Sequence, residues 1–362
     1  MFAIVKNIIG KARYDSWYFG RHYRRLLQRD GCDCGQAEGE EAYLNRWRRL
    51  SRQVEPYSYR YYSRFCGPTA DIVPEYILHN QIEPCINPLA LWDEYEDKNR
   101  FALYLGDGCL PATVLCRMKG GEISDACRRP LVGTVEAALA DCRYASLILK
   151  PAMGSSCGDR IMKFDRVGDG YRDAEGQMLD KAFLLGYGAD WILQECIVPH
   201  PFMQQFCSTA VSTLRLAVYR SVVDGQSTVT GAVLRVGPEG AVVDNTSAGG
   251  CYVGVELESG ELHRTFFDLQ GKRRSVWNGV DLNRQTLVVP HWQEVLALAH
   301  RVAAAITDHH LLALDIALNE KGEPVVLEYN IGGFSAFLFH HVGQPPLAGH
   351  VDEVIAFCLR KR

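Results

Sequence analysis

Two carboxylates in an apolar stretch near the end of the chain are the strongest candidates for chemistry. Residues 313–330 read ALDIALNEKGEPVVLEYN, which predicts two strands joined by a turn at 319–322. If Leu318 pairs with Glu323, Asp315 and Glu328 are diagonal neighbours. One face would then carry Asp315, Val326, Glu328 and Asn330, and the other, facing the core, would carry Leu314, Ile316, Val325 and Leu327.

Paired acids on an apolar background repel each other unless a cation lies between them. With the Asn330 carbonyl, Asp315 and Glu328 form an all-oxygen set, which suits Mg²⁺. The alternative is an exposed hairpin whose acids are solvated, and a register slip of one residue would separate the two carboxylates.

A lysine at the end of an apolar strand is the second candidate. Residues 146–151 read SLILKP, and a small-residue loop follows with Gly154, Ser155 and Ser156. The backbone N–H groups of such a flap can surround phosphates. The Lys150 ammonium, projecting from a buried strand, needs an anionic partner such as a nucleotide phosphate. The loop alone is weak evidence, because many hairpins are rich in Gly and Ser.

The strand 191–198, WILQECIV, places polar residues inside an apolar run. Gln194, Glu195, Cys196 and Ile197 at the end of a buried strand suit recognition of an adenine through backbone groups. An edge strand with one wet side explains the same pattern.

The composition is that of a globular protein. The chain has 362 residues, 47% of them hydrophobic and 23% charged, with a net charge of -4. These values exclude disordered, collagen-like and coiled-coil classes. The 13 cysteines are scattered and odd in number, which argues against a closed disulfide framework and favours a cytoplasmic protein. No apolar run reaches the length of about 18 residues that a spanning helix needs.

Charge is distributed unevenly along the chain. Residues 1–64 hold thirteen Lys and Arg against seven Asp and Glu, together with Tyr14, Trp17 and Tyr18. Basic and aromatic residues together suit an anionic surface, such as lipid headgroups, nucleic acid or a sugar phosphate. The alternative is a solvated helical face with aromatic anchors. At the start of the chain, one helical face would carry Phe2, Val5, Ile8 and Ile9.

The pattern of elements predicts an α+β fold, because helices and hairpin-connected strands alternate without a regular βαβ order. The predicted strands are 112–117, 146–152, 160–166, 191–198, 213–220, 228–237, 313–319 and 324–330. The predicted helices are 1–30, 40–54, 93–105, 134–143, 178–187, 290–309 and 351–359.

Taken in order, these segments resemble the ATP-grasp superfamily from about Asp97 to Phe337. Lys98 resembles the family's first phosphate-contacting lysine, and Leu110–Thr113 resembles the strand that follows it. Lys150 with the 154–158 loop resembles the second lysine and its flap. The segment 194–197 resembles the adenine hinge. Thr213-Leu-Arg215 resembles an arginine strand that contacts phosphate or substrate, and Asp315, Glu328 and Asn330 resemble the metal ligands.

Further motifs resemble the sugar-transfer-associated group of this superfamily, whose members are typically encoded with polysaccharide biosynthesis genes. They are VEPYSYRYY at 54–62, DIVPEYI at 71–77, IEP at 82–84 and YEDKN at 95–99. The resemblance implies two α+β subdomains that grip ATP. The boundaries we predict are a basic helical region 1–95, subdomains 96–190 and 191–345, and a C-terminal helix 346–362.

The resemblance also implies a reaction. ATP and one or two Mg²⁺ ions (Mn²⁺ is an alternative) would activate a small-molecule carboxylate as an acyl phosphate, which an amine then attacks. Lys98 and Lys150 would offset phosphate charge, and Arg215 and Arg235 would stabilise the transferred group. One substrate would be a sugar or sugar nucleotide. We expect no nucleic-acid partner, a cytoplasmic location and peripheral contact with the inner face of the membrane through residues 1–64.

Two alternatives share the same ATP site. The first is a kinase acting on a sugar or polyol hydroxyl, for which Asp244 is the candidate base. The second is a nucleotide-binding partner of a glycosyltransferase. His340 and His341 could be a base near the amine, although a structural histidine pair is the simpler interpretation of them.

Overall fold

A computed structural model describes residues 11–361 except 33, 106–108, 110, 155–159, 242, 243 and 245. The apolar face predicted for Phe2, Val5, Ile8 and Ile9 therefore lies outside the described residues, as do Ser155 and Ser156. No helix in the described part of the chain is long and apolar enough to cross a membrane.

The N-terminal region is helical, as predicted. Its α-helices are Lys11–Arg29, Glu40–Arg48, Tyr57–Cys66, Glu75–Ile77, Glu83–Ile86, Trp92–Glu96 and Phe101–Tyr104, with a π-helical turn Leu78–Ile82 and a 3-10 turn Leu89–Leu91. The helix predicted over 93–105 is broken, because Asp97 adopts an extended conformation and its carboxylate accepts the backbone N–H of Asn99 at 2.9 Å. Such a local hydrogen bond competes with the helical one.

The first sheet has six antiparallel strands in the order β2-β1-β6-β3-β4-β5. They are β1 (Val114–Lys119), β2 (Glu122–Asp125), β3 (Ser146–Pro151), β4 (Met162–Val167), β5 (Gly170–Arg172) and β6 (Trp191–Glu195). The helices Val135–Asp141 and Lys181–Tyr187 cover one face, where Leu147, Leu184 and Trp191 are buried. The predicted boundary at 190 falls just before β6, yet β6 pairs with both β1 and β3 in this sheet.

The second sheet has seven strands in the order β11-β10-β9-β8-β7-β14-β15. They are β7 (Thr213–Arg220), β8 (Ser227–Val236), β9 (Cys251–Val255), β10 (Leu262–Phe267), β11 (Arg273–Arg274), β14 (Leu311–Leu318) and β15 (Pro324–Asn330), while β12 (Val276–Trp277) and β13 (Val280–Asp281) form a separate hairpin. The remaining helices are Pro201–Gln204, Thr246–Ala248 (3-10), Trp292–Ala305, Ala336–His341 and Val351–Arg360.

Both faces of the second sheet are buried, and the two faces belong to different parts of the chain. Leu214 and Leu314 lie in a core with the helix Trp292–Ala305. Tyr219 and Ala313 point the other way, into a core formed with the N-terminal helices. The fully buried strands β9 and β14 are therefore almost continuously apolar, as expected where a sheet is covered on both sides.

The hairpin of β14 and β15 differs from the predicted register. Leu318 pairs with Pro324, and Asp315 pairs directly with Glu328 instead of diagonally. The register then shifts between Asp315 and Ile316, which leaves Leu327 as an extra residue in a β-bulge. Because of the bulge, Val326 joins the core with Leu314 and Ile316, while Val325 and Leu327 pack with Ala317 on the opposite face.

A buried asparagine holds the N-terminal region against this hairpin. Asn87 is fully buried, and its Nδ2 donates to the carbonyls of Leu311 and Ile331, both at 2.7 Å. Its Oδ1 accepts the backbone N–H groups of His310 at 2.9 Å and Leu311 at 3.1 Å. The side chain thus fixes the start of β14 relative to the segment that follows β15.

We predict that Asn87→Ala lowers the free energy of unfolding by about 3 kcal/mol, because buried carbonyl and N–H groups lose their partners. Urea unfolding measures this change. The exposed Asn283 is a matched control, and Asn283→Ala should stay within about 0.5 kcal/mol of the parent. Equal stabilities for the two variants would contradict the assigned role of Asn87.

Candidate functional site

A cavity of about 580 Å³ lies between the two sheets. It brings together the described residues that the sequence analysis singled out, although they come from widely separated parts of the chain. The cavity is lined by Lys98, Lys150, Gly154, Gln194, Glu195, Cys196, Ile197, Arg215, Arg235, Asp315, Glu328 and Asn330. Their roles in binding and catalysis remain predictions.

Asp315 is held by two arginines from neighbouring strands. Arg215 lies opposite it on β7, and its Nε and NH2 donate to the two carboxylate oxygens at 3.0 and 3.1 Å. Arg235 on β8 reaches the same carboxylate at 3.3 Å. Burial lowers the pKa of Arg215 below its usual value, although Asp315 opposes that effect. This bidentate pair therefore compensates charges that have been removed from water.

Glu328, across the hairpin from Asp315, is paired with a lysine. The Lys98 ammonium lies 2.8 Å from Glu328 Oε1, and the lysine side chain is only 5% exposed. Burial alone would raise the pKa of Glu328, but the charges of Lys98 and Lys150 outweigh it and hold the pKa below its usual value. Glu328 is therefore an anion at neutral pH.

The oxygen atoms at the end of the hairpin fit a Mg²⁺ ion that also binds phosphates. Asp315 and Glu328 are directly opposite each other, and Asn330 Nδ2 lies 3.5 Å from Asp315 Oδ2. No group of three or more His, Cys, Asp or Glu residues is placed to hold a metal ion within the described ranges. Two carboxylates would leave coordination positions open on a Mg²⁺ ion, which prefers oxygen ligands and keeps several waters.

The ammonium group of Lys150 is in an unfavourable environment. It is 7% exposed, and no described residue forms an ion pair with it. Burial and the nearby Lys98 lower its pKa to about 8. The two lysines are held together by the backbone, since the N–H of Lys98 donates to the carbonyl of Ala152 at 3.0 Å. A polyanion entering the cavity would stabilise the charged form of both lysines.

The predicted hinge leaves β6 at the edge of the cavity. The N–H of Glu195 donates to Thr113 at 2.9 Å, and the N–H of Cys196 donates to Ser146 at 2.9 Å. The N–H of Ile197 has no acceptor among the described residues. The backbone at 197 can therefore donate to a planar ligand, as recognition of an adenine edge requires.

Apolar side chains from both sheets flank this hinge. Ile148 projects from β3 on the same face as Lys150, because strand side chains alternate. Leu327 faces the cavity from the second sheet, since the bulge turns it away from the Val326 core. Val211 and Ile161 complete the apolar lining. A flat ring could lie between these walls with its edge at residue 197.

Thr213, Arg235 and Asp244 form a polar network at the side of the cavity, and the sequence analysis did not predict that these three side chains contact one another. The hydroxyl of Thr213 donates to Asp244 and accepts from Arg235 NH2 at 2.8 Å. Burial raises the pKa of Asp244, while Arg235 opposes the rise. The spacing of Thr213 and Arg215, two residues apart on one strand, is the signal that places both side chains on the cavity face.

Glu96 also lines the cavity and was absent from the predicted site. It lies two residues before Lys98, and both burial and the charge of Glu328 raise its pKa.

The two histidines lie away from the cavity. His340 is 1% exposed, and its Nε2 accepts the backbone N–H of Val73 at 3.1 Å. His341 contacts the hydroxyls of Tyr252 at 2.5 Å and Tyr61 at 3.2 Å. Burial lowers the pKa of His340 to about 4. Both are structural, and neither is placed to act as a base at the cavity.

A comparison with protein families finds a match that covers more than half of the chain. The model described as "Sugar-transfer associated ATP-grasp" matches residues 131–354. This range contains Lys150, the hinge and the carboxylate hairpin. Lys98 and the motifs at 54–62, 71–77, 82–84 and 95–99 precede it. No curated protein matches this chain.

Solved structures with some similarity are enzymes that share little sequence with this chain. An L-amino acid ligase from Bacillus licheniformis has 11% identity and a TM-score of 0.37, with 70% of this chain and 48% of that one covered. D-alanyl-alanine synthetase A from Vibrio cholerae has 13% identity and a TM-score of 0.42, with 74% and 65% covered. D-cycloserine synthetase has 15% identity and a TM-score of 0.40, with 74% and 72% covered. The chain spans about half the length of the first of these structures.

We predict that stability responds to the charge on Lys150 at high pH. A lysine in the unfolded chain has a pKa of about 10.4, whereas burial lowers the pKa of folded Lys150 to about 8. Between these pH values the unfolded chain binds more protons, so the free energy of unfolding rises with pH, by up to about 3 kcal/mol. Lys150→Met should lack this rise.

Urea unfolding of the parent and of Lys150→Met between pH 7.5 and 10.5 measures the difference, in which the titration of other groups cancels. Lys163→Met is a suitable control, because Lys163 is 38% exposed on the adjacent strand β4. It should keep the slope of the parent. Parallel curves for the parent and Lys150→Met would contradict the buried, destabilised ammonium.

Proposed function

The chain belongs to the sugar-transfer associated ATP-grasp family, and on that basis we propose that it is an ATP- and Mg²⁺-dependent carboxylate–amine ligase. One observation carries the proposal: two opposed carboxylates and two buried lysines converge in one cavity, beside a hinge that apolar side chains flank. Such a site neutralises a triphosphate at one end and holds its base at the other. The proposed products are an amide, ADP and phosphate.

In this proposal, the nucleotide lies between the sheets. The base would rest between Ile148 and Leu327, with the N–H of Ile197 donating to its edge. Lys98 and Lys150 would contact the phosphates. Asp315, Glu328 and Asn330 would hold Mg²⁺, which when bound would supply positive charge that stabilises the charge developing during phosphoryl transfer.

The arginines would act on the group being transferred. In the structure, Arg215 and Arg235 both point at Asp315. A guanidinium group has five N–H donors, so those that Asp315 does not occupy could donate to the phosphoryl oxygens. They would also stabilise the oxyanion that forms when an amine attacks the carbonyl.

The two steps balance. An oxygen of the substrate carboxylate attacks the γ-phosphorus, and the bond to the β-phosphate oxygen breaks, which gives an acyl phosphate and ADP. The amine then attacks the acyl carbon, the phosphate leaves with the bonding electron pair, and the amine nitrogen loses a proton. One carboxylate oxygen therefore ends in inorganic phosphate.

We propose that one of the two substrates is a sugar or a glycan precursor in surface polysaccharide biosynthesis. The description of the matching family supports this assignment. A location in the cytoplasm, with contact to the inner face of the membrane, belongs to the same proposal. A sugar kinase is less well supported, because the candidate base Asp244 is engaged by Thr213 and Arg235.

Isotope transfer tests the reaction. Candidate uronic acids and amino acids labelled with ¹⁸O in the carboxyl group are mixed with ATP, Mg²⁺ and an amine, and released phosphate is analysed by mass spectrometry. A ligase gives phosphate that carries one ¹⁸O, together with an amide. A phosphorylated sugar without labelled phosphate would contradict the ligase and identify a kinase.

We predict that Glu328→Gln reduces ADP release at saturating ATP by at least about 100-fold, because one anionic ligand for the metal is lost. Glu323→Gln is the matched control: Glu323 lies in the exposed turn of the same hairpin, and its carboxylate accepts a hydrogen bond from Asn319 Nδ2 at 2.8 Å. The control should retain the parental rate. If both variants turn over like the parent, the hairpin is not the metal site.

A further inference from the structure

The helix Lys11–Arg29 presents a face that the cavity and the fold do not use. Its buried side packs Tyr23 and Leu27 against the other N-terminal helices. The outward residues are Arg13, Trp17, Tyr18, Arg21, Arg24 and Arg25, all of them exposed. At about 100° per residue they fall within an arc of about 140°, so they form one continuous stripe, which we call the arginine face.

The positive charges of the arginine face are not balanced by ion pairs with described residues. Among the described residues, none of its four arginines forms an ion pair, whereas Arg29 at the end of the helix pairs with Asp30 at 2.8 Å. Asp15 is the single acidic residue of this helix. It points inward, is 9% exposed and accepts a hydrogen bond from Asn80 at 3.1 Å. No carboxylate on this helix therefore screens the stripe.

Two large aromatic rings lie within the stripe. Trp17 is 48% exposed and Tyr18 is 52% exposed. The guanidinium of Arg21 lies 5.5 Å from the Trp17 ring centre. The ring contacts of Trp17 and Tyr18 are with Tyr14 and Phe19 of the same helix, so about half of each side chain stays in water. Rings that combine an apolar body with a polar edge partition into the headgroup layer of a bilayer, and neighbouring arginines there meet anionic lipid.

We infer that the arginine face docks on a bilayer containing anionic lipid, with Trp17 and Tyr18 in the headgroup layer. This narrows the predicted contact of residues 1–64 to one helix face. The contact is independent of the ligase reaction, because none of these side chains lines the cavity. A nucleic acid would also attract the arginines, but sequence-independent strand binding relies on a groove that tracks the backbone, and this face is a convex helix.

Docking would bring the cavity near the membrane. The last residue of the helix, Arg29, donates from NH2 to the carbonyl of Gln270 at 3.0 Å. Leu269, which precedes Gln270 in the sequence, is 46% exposed and lines the cavity. A chain lying on its arginine face would therefore keep the Leu269 side of the cavity close to the headgroups.

Vesicle flotation of the full chain tests this inference. Vesicles of phosphatidylcholine with 30% phosphatidylglycerol are compared with pure phosphatidylcholine at about 50 and 500 mM NaCl. We expect binding to the anionic vesicles at low salt and a loss of at least about tenfold at high salt, because headgroup attraction is screened. Equal binding to both vesicle types, or no binding to either, would overturn the inference.

Two variants and a matched control locate the contact. Arg21→Glu/Arg24→Glu/Arg25→Glu should lose binding at least about tenfold, and Trp17→Ser/Tyr18→Ser should weaken it while retaining its salt dependence. Arg143→Glu/Lys181→Glu/Arg284→Glu changes the net charge equally at exposed positions on other elements and should bind like the parent. Equal losses in the two charge-reversed variants would show that only net charge matters.

Two further measurements distinguish the possible causes of a loss of vesicle binding. Circular dichroism and unfolding midpoints show whether each variant is folded, and a variant that unfolds is replaced by the single change Arg25→Glu. Binding of a 20-nucleotide single strand is measured in parallel. Tight binding to the strand that depends on Arg21, Arg24 and Arg25, without vesicle binding, would assign the face to nucleic acid and overturn the inference. ADP release in solution should be unchanged in every variant, so failure here leaves the ligase proposal intact.

Discussion

Charged side chains are buried where the two sheets meet, and the rest of the structure depends on how their charges are compensated. A charged group removed from water must find an opposite charge or change its protonation state. Asp315 finds two arginines, and Glu328 finds Lys98. Lys150 lacks such a partner among the described residues, and its pKa falls to about 8. The Lys150 ammonium is therefore the place in the cavity where an entering anion would gain most.

This balance depends on strands that are distant in sequence. Arg215 and Asp315 meet because β7 and β14 are adjacent and in register. Glu328 is placed opposite Asp315 by the hairpin. The hairpin in turn is fixed at its base by Asn87, which comes from the N-terminal helices. Residues 1–95, predicted as a separate helical region, therefore share a core with the second sheet and help to position its carboxylates.

Much of this arrangement is predictable from the sequence, because apolar periodicity reports which strands are buried. Polar residues interrupt the predicted strands 146–152, 213–220 and 313–319, and these interruptions indicate Lys150, Arg215 and Asp315. The short strands β9 and β10 have no predicted counterpart, since Gly254 interrupts one and His263, Arg264 and Thr265 break the apolar pattern of the other. The bulge at Leu327 is also invisible in the sequence, because an insertion into a ladder depends on the partner strand and not on local residue types.

The bulge lets Leu327 and its neighbour Glu328 both face the cavity, which a regular strand would not allow. In a regular strand, side chains alternate between the two faces, so the residue before Glu328 would point away from the cavity. Here Leu327 stands outside the ladder, between a paired carboxylate and a core valine. Its size can therefore drift over evolutionary time, reshaping the wall beside the hinge, while Asp315 and Glu328 keep their pairing. The apolar wall of the cavity and its paired carboxylates can thus vary independently in this chain.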